Sequence, residues 1–253
     1  MPNIIVTGAA SGLGKAFVTA YLKSADNSVL AVDRSFSSSS AQNVLEAADA
    51  YRKDVGNNET NTLRMFTIDV RDETQITTQL HDVEDIDLVI HSAGVRGLES
   101  SVSIKRSADV AEAETMNVIT AETMTDTFQT NTVGTFLLIR ALLPKLRPLG
   151  GSKVVIMGSR MGSMGSNTTG GGYAYRASKA ALNAIVKSFS IDLPDIIFTV
   201  VHPGRVESGL VAVKEDGAIS AEESVVDVLG LIGRFGNEDS GKFFDRFGEE
   251  VPW

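Results

Sequence analysis

The sequence contains no cysteine. Disulfides, zinc–thiolate centres and a cysteine nucleophile are thereby excluded. Histidine is scarce as well. His81, His91 and His202 are the only three, far apart and without metal-ligand spacing. They read as ordinary polar or core residues, and no metal is expected. No apolar run reaches the about 20 residues needed to cross a bilayer. No basic region followed by a long hydrophobic stretch stands at the start, so a cytoplasmic protein is expected. Positive charge is in deficit: 23 Lys and Arg face 32 Asp and Glu, for a formal net charge of −9. This balance argues against nucleic-acid or anionic-membrane partners, which call for clustered Lys and Arg.

What is present is a regular alternation. The 253 residues, 43% of them apolar, suffice for one substantial core. Apolar runs at 3–7, 28–33, 63–68, 87–91, 153–158, 196–201 and, more weakly, 242–244 read as strands. Most are rich in Val and Ile and do not alternate with polar residues, as strands buried on both faces should not. Arg64 and Thr67 interrupt the third. Helical spacing lies between the runs, as in Leu13, Phe17 and Tyr21, and in Leu182, Ile185, Val186 and Phe189. Strand–helix alternation with right-handed crossovers implies a doubly wound α/β fold. The expected architecture is a single Rossmann domain over 1–253, with a mostly parallel seven-stranded sheet and helices on both faces. Polar runs at 35–40 and 56–61 read as loops around one helix. The segment 97–121 reads as a loop and part of a helix on the rim. The five-glycine segment 162–172 reads as a loop.

The first strand runs directly into Thr7-Gly8-Ala9-Ala10-Ser11-Gly12-Leu13-Gly14, where a helix begins. Glycines there let the turn close and let backbone approach a pyrophosphate, while the helix N-terminus offers free N–H groups. Gly8, Ser11, Gly12, Leu13 and Gly14 are therefore candidate cofactor contacts. Asp33 ends the second strand about 20 residues on, where an acidic side chain meets ribose hydroxyls and repels a 2′-phosphate. Arg34 follows and would neutralise such a phosphate. NAD is favoured, with NADP as the alternative.

A second constellation begins at Tyr173-Ala174-Tyr175-Arg176-Ala177-Ser178-Lys179. Tyr175 and Lys179 are one helical turn apart and share a face. Tyrosine ordinarily titrates at about 10, too high for proton transfer near neutrality. An ammonium about 4 Å away, at an effective dielectric constant near 20, is worth roughly 4 kcal/mol and would lower that value by close to three, with desolvation of the charged forms offsetting part of it. Tyr173 is the competitor, but Ala177 stands where its lysine would be. The strand 153–158 ends at Ser159, on the carboxyl edge where open α/β sheets bind ligands. Asn131 lies inside a helical pattern that disfavours asparagine.

Together these motifs strongly resemble the short-chain dehydrogenase/reductase family along essentially the whole chain. The resemblance rests on the glycine turn from Thr7 to Gly14, Asp69-Val70, Ala93-Gly94, Asn131 with Gly134, Ser159 with Gly162, Tyr175 with Lys179, and Pro203-Gly204. It implies an NAD(P)-dependent oxidoreductase interconverting a small-molecule carbonyl and alcohol. It further implies that Tyr175 is the acid/base, that Lys179 also holds ribose, that Ser159 orients the substrate oxygen, and that Asn131 anchors a water in a proton relay. Asp69 and Val70 would contact adenine, and Pro203, Gly204 and Val206 the nicotinamide side. A homodimer or homotetramer is implied as well. Two departures stand out. His91-Ser92-Ala93-Gly94 replaces the family's usual Asn-Asn-Ala-Gly. Ser159 and Tyr175 are 16 residues apart, a longer spacing than is common in the family. That spacing, His202-Pro203-Gly204 and the ending Gly241-Lys242-Phe243-Phe244 … Pro252-Trp253 resemble the C-factor and sniffer-type carbonyl reductase branch. The alternatives are a dinucleotide-binding signalling protein and a non-redox biosynthetic enzyme on the same fold. An epimerase or dehydratase of the extended group is disfavoured, because only 50 residues follow Pro203. Met161, Met164 and the segment 206–219 are expected to line or cover the pocket.

Overall fold

The computed structural model describes residues 1–24, 26–37, 39, 42, 44–46, 61–147 and 151–253. Seven parallel strands form one sheet, in the order β3-β2-β1-β4-β5-β6-β7. They are β1 (Asn3–Thr7), β2 (Ser28–Asp33), β3 (Thr62–Thr67), β4 (Ile86–His91), β5 (Lys153–Met157), β6 (Ile197–His202) and β7 (Lys242–Asp245). All seven expected strands are present, each within a residue of its expected ends. The chain leaves β1 in one direction across the sheet and returns to β4 in the other. The carboxyl ends of β1 and β4 therefore flank the crevice at which doubly wound sheets take ligands.

The apolar runs do not alternate because both faces are covered. Ile4 and Val6 point into one core and Ile5 into the other; Val29 and Ala31 oppose Leu30 in the same way. Helices α1 (Gly12–Leu22) and, late in the chain, Ala221–Arg234 cover the first face with Phe17, Val225 and Val228. The second face is covered by Glu73–Gln79, Gly134–Leu142 and Tyr173–Asp192, contributing Ile76, Leu138, Leu182 and Val186 among others. In chain order the helices are α2 (Glu73–Gln79), α3 (Ser107–Glu112), α4 (Ala121–Phe128), α5 (Gly134–Leu142), α6 (Tyr173–Asp192) and α7 (Ala221–Arg234). Burying one Leu or Phe side chain is worth about 1.5–3 kcal/mol, so the two cores hold the crevice walls rigidly.

β3 is an edge strand. That explains the interrupted pattern of its sequence: Arg64 lies out over the Phe66 ring and pairs with Asp82. Most of the helix and flanking loops expected around 35–61 lie outside the described residues. The rim segment at 97–121 contains α3, as expected. Among the described residues no helix is long and apolar enough to cross a membrane.

Candidate active site

One cleft of about 1280 Å³ lies along the carboxyl edge of the sheet. At one end is the turn from β1 into α1. Gly12 has φ +50, and a Cβ there would meet the Ser208 carbonyl oxygen at 2.3 Å; one at Gly14 would meet the Gly8 oxygen at 2.2 Å. Only glycine closes this turn. Ser11 makes no side-chain cap to α1, so the helix leaves its first N–H groups open to an anion. Asp33 ends β2 beside this turn, its oxygens accepting from the backbone N–H groups of Ala10 (3.0 Å) and Ser35 (3.2 Å). Arg34, Asp69, Val70 and Arg71 line the same wall. Arg71 is spent on Asp69, which its guanidinium holds below the usual carboxylate range. The uncapped helix end and the glycine turn fit a dinucleotide pyrophosphate.

The segment 206–219 arches over this end. Residues 206 and 219 bridge, and Glu207 N donates to Ile219 O at 3.0 Å. Ser208 thus lies against Gly12, and residues 206–215 line the cleft, as expected. Pro203 and Gly204 lie below it at the end of β6.

At the other end stand the four expected catalytic side chains, brought together from the helix α6, the turn after β5 and a π-turn. Tyr175, 7% exposed, and Lys179, 5% exposed, lie one turn apart on α6. Tyr173 is 43% exposed on the same helix, and of the two tyrosines it is Tyr175 that lines the cleft. Ser159 caps a short 3₁₀ turn (Arg160–Gly162), its hydroxyl accepting from Met161 N at 3.2 Å. A Cβ at Gly162 would sit 2.8 Å from the Lys179 backbone, so glycine lets this turn press against α6. Asn131 lies in a π-turn (Gln129–Val133) between α4 and α5, not in regular α-helix as its surroundings in sequence implied. Its Oδ1 accepts from Val95 N (2.8 Å), and its Nδ2 donates to Val95 O (2.8 Å) and Ser178 Oγ (3.0 Å). The amide thus ties the loop after β4 to the catalytic helix.

Three residues matter here that the sequence did not single out for chemistry. His91 is buried between two threonines. Thr7 Oγ1 accepts from the N–H groups of Ser92 and Ala93, both at 3.1 Å, so its own proton goes to His91 Nδ1 at 2.8 Å. His91 Nε2–H then donates to Thr135 Oγ1 at 2.8 Å, which donates to Asn131 O at 2.8 Å. Burial, with Lys179 nearby, pushes His91 down to about 3, so it is neutral in this chain. The departure from the family's asparagine therefore installs a link between the glycine turn and the π-turn. His202 ends β6 in the cleft with its Nδ1 buried and unpartnered. Burial and Arg160 push it down to about 4. Arg96 is the third. Its guanidinium carbon lies 4.9 Å from the Tyr175 ring centroid, while the Lys179 ammonium lies 5.8 Å away and donates to Met157 O at 2.8 Å.

This geometry corrects one electrostatic expectation. The Tyr175 phenol lies above its ordinary range, not below it as a neighbouring ammonium alone would place it. Burial pushes that phenol up, against Arg96 first and the Ser159 hydroxyl second, which pull it down. Burial also pulls Lys179 down to about 8. A low-dielectric pocket disfavours both charged forms at once.

The short chain dehydrogenase family profile matches residues 2–218. The chain belongs to that family. It is an NAD(P)-dependent oxidoreductase. It is 32% identical to short chain dehydrogenase gsfK of Penicillium aethiopicum, over 99% of each chain. It is 40% identical to the C-signal of Myxococcus xanthus, over 66% of this chain and 93% of that one. Carbonyl reductase Sniffer of D. melanogaster superimposes with a TM-score of 0.79 at 26% identity, over 100% of both chains. The sniffer-type likeness expected from the Ser159–Tyr175 spacing, His202-Pro203-Gly204 and the ending of the sequence extends to the whole fold.

Proposed function

We propose that this chain reduces a small-molecule carbonyl to an alcohol with NADH, using Tyr175 as the proton donor. The observation that carries the reading is geometric: Tyr175, Ser159 and Lys179 line the same cleft as the glycine turn. A buried phenol is protonated at neutral pH and can supply a proton to a carbonyl oxygen placed beside it. The reduced nicotinamide supplies hydride when bound. The remaining work belongs to the chain. Ser159 donates to the substrate oxygen and fixes its place beside the phenol. Lys179, poised at about 8, holds the ribose and refills the proton. Asn131 holds the π-turn through which a water reaches Lys179. Asp69 and Val70 receive the adenine, and Ala93, Gly94, Pro203, Gly204 and Val206 border the nicotinamide. Asp33 reads the ribose hydroxyls and disfavours a 2′-phosphate, with Arg34 acting against it.

The test is a panel of ketones and aldehydes with NADH and NADPH, run on wild type and on Tyr175→Phe. Turnover by wild type and a loss of about 10²–10⁴-fold in the variant, with dinucleotide binding intact by nicotinamide fluorescence, are expected. Undiminished turnover in Tyr175→Phe overturns the assignment. The identity to the C-signal favours a second reading, a dinucleotide-binding signalling protein. Saturable binding with no turnover across the panel would select it.

A further inference from the structure

Two cations stand near the Tyr175 ring, and the nearer is not the lysine. Arg96 follows β4 on the loop that Asn131 clamps. Its side chain is 16% exposed, and its fork meets both oxygens of Glu114, itself 8% exposed, through Nε to Oε1 and Nη2 to Oε2. A bidentate pair of this kind fixes the plane of the guanidinium. The backbone of Glu114 is fixed in turn: its carbonyl accepts from Gly172 N at 3.1 Å, and Gly172 caps α6 three residues before Tyr175. The rim beyond α3, the loop after β4 and the start of the catalytic helix are thereby joined at one ion pair. Nothing in folding alone asks for a charged pair there, since such a pair often adds little net stability over apolar packing.

We propose that Arg96, held by Glu114, is a positioning residue that biases Tyr175 toward giving up its proton, doing so through the face of the ring. The proposal rests on the acid/base role of Tyr175 put forward above. A cation over a ring face stabilises negative charge developing on the phenol oxygen. The charged and titratable groups around Tyr175 come from five elements. Arg96 is on the loop after β4, Glu114 beyond α3, Glu215 on the arch before α7, Ser159 at the end of β5, and Lys179 on α6 itself. Arg96 and the Ser159 hydroxyl favour the phenolate, and Glu114 and Glu215 oppose it. Glu114 therefore has two opposed effects: it places the guanidinium and it weakens its field.

That opposition supplies the test. Arg96→Gln removes the cation, and Glu114→Gln removes the anion while keeping a hydrogen-bonding side chain on Arg96. The first readout is the ultraviolet titration of the Tyr175 phenol, taken as each protein minus its Tyr175→Phe counterpart, without cofactor or substrate. The second is the alkaline limb of kcat for carbonyl reduction. Arg96→Gln is expected to move both to higher pH and to lower kcat at neutrality about tenfold, within the strength of a desolvated cation–ring contact. Glu114→Gln is expected to move both to lower pH. Arg96→Lys restores the charge without the fork and is expected to recover most of the shift. A merely structural pair would move both glutamine variants the same way, through loosening, and that result overturns the proposal. So does a phenol titration that Arg96→Gln leaves unchanged. Retained turnover in Tyr175→Phe sinks the acid/base reading instead, and the phenol titration still decides the role of Arg96.

Discussion

The pyrophosphate cradle and the catalytic corner open on the same cleft and are built in opposite ways. The cradle is backbone: a strand, a glycine turn and an uncapped helix end, all within residues 3–22. The recognition proposed for it comes from N–H groups whose direction the secondary structure dictates. The corner is side chains drawn from β4, the π-turn, β5 and α6, and its chemistry depends on which charges are buried beside which. The difference teaches where each half is vulnerable. A cradle fails by steric intrusion, whereas a catalytic corner fails by a change of protonation with every atom still in place.

Adding bulk to the cradle should have the largest effect. In Gly14→Val the new side chain starts 2.2 Å from a backbone oxygen of Gly8, an overpacking worth about 1–3 kcal/mol. NADH affinity is expected to fall by about 5- to 150-fold, since each tenfold is 1.4 kcal/mol and the turn must deform to admit the valine. A nicotinamide fluorescence titration reads this directly; unaltered affinity would place the dinucleotide elsewhere.

An intermediate effect is expected at the link between the halves. His91 titrates at about 3 in the folded chain because it is buried, against about 6.5 when exposed. The unfolded chain therefore takes up this proton first. Stability is unaffected by the group above about 6.5 and declines as pH falls from there toward 3, by up to about 1.4 kcal/mol per pH unit. His91→Asn should flatten this acid slope. It should also cost about 1–2 kcal/mol at pH 7, because the Thr7–His91–Thr135 chain is broken. Urea titrations at pH 4, 5 and 7 test both, and an acid slope identical in the two proteins would remove His91 as its source.

The smallest effect concerns cofactor choice. Asp33→Asn removes the charge and keeps an acceptor for one of the two backbone N–H groups, Ala10 or Ser35, that the carboxylate oxygens now hold. The ratio of NADPH to NADH dissociation constants is expected to narrow by about tenfold, roughly 1.4 kcal/mol. A ratio that stays put would mean that Arg34, and not Asp33, governs the choice.

Local pattern made much of this molecule readable. The seven strands, the crossover and the glycine turn depend on residues close together in the chain, where apolar runs, glycine and helix spacing act through backbone geometry. The pairing of Tyr175 with Lys179 was readable for the same reason, since one helical turn puts them on one face. Ser159 was legible as the end of a strand at the carboxyl edge. What sequence alone left undecided lies across long separations. Arg96 meets Glu114 and Tyr175 from 18 residues and from far along the chain, and His91 joins Thr7 to Thr135 across the sheet. No periodicity marks such meetings. The tertiary structure also decided the sign of the electrostatics. Spacing placed an ammonium near a phenol and implied a lowered phenol. Burial set the balance, since in a dry pocket desolvation opposes the charged forms of both Tyr175 and Lys179. Sequence determines which groups can meet; how deeply they are buried when they do decides which of them is charged.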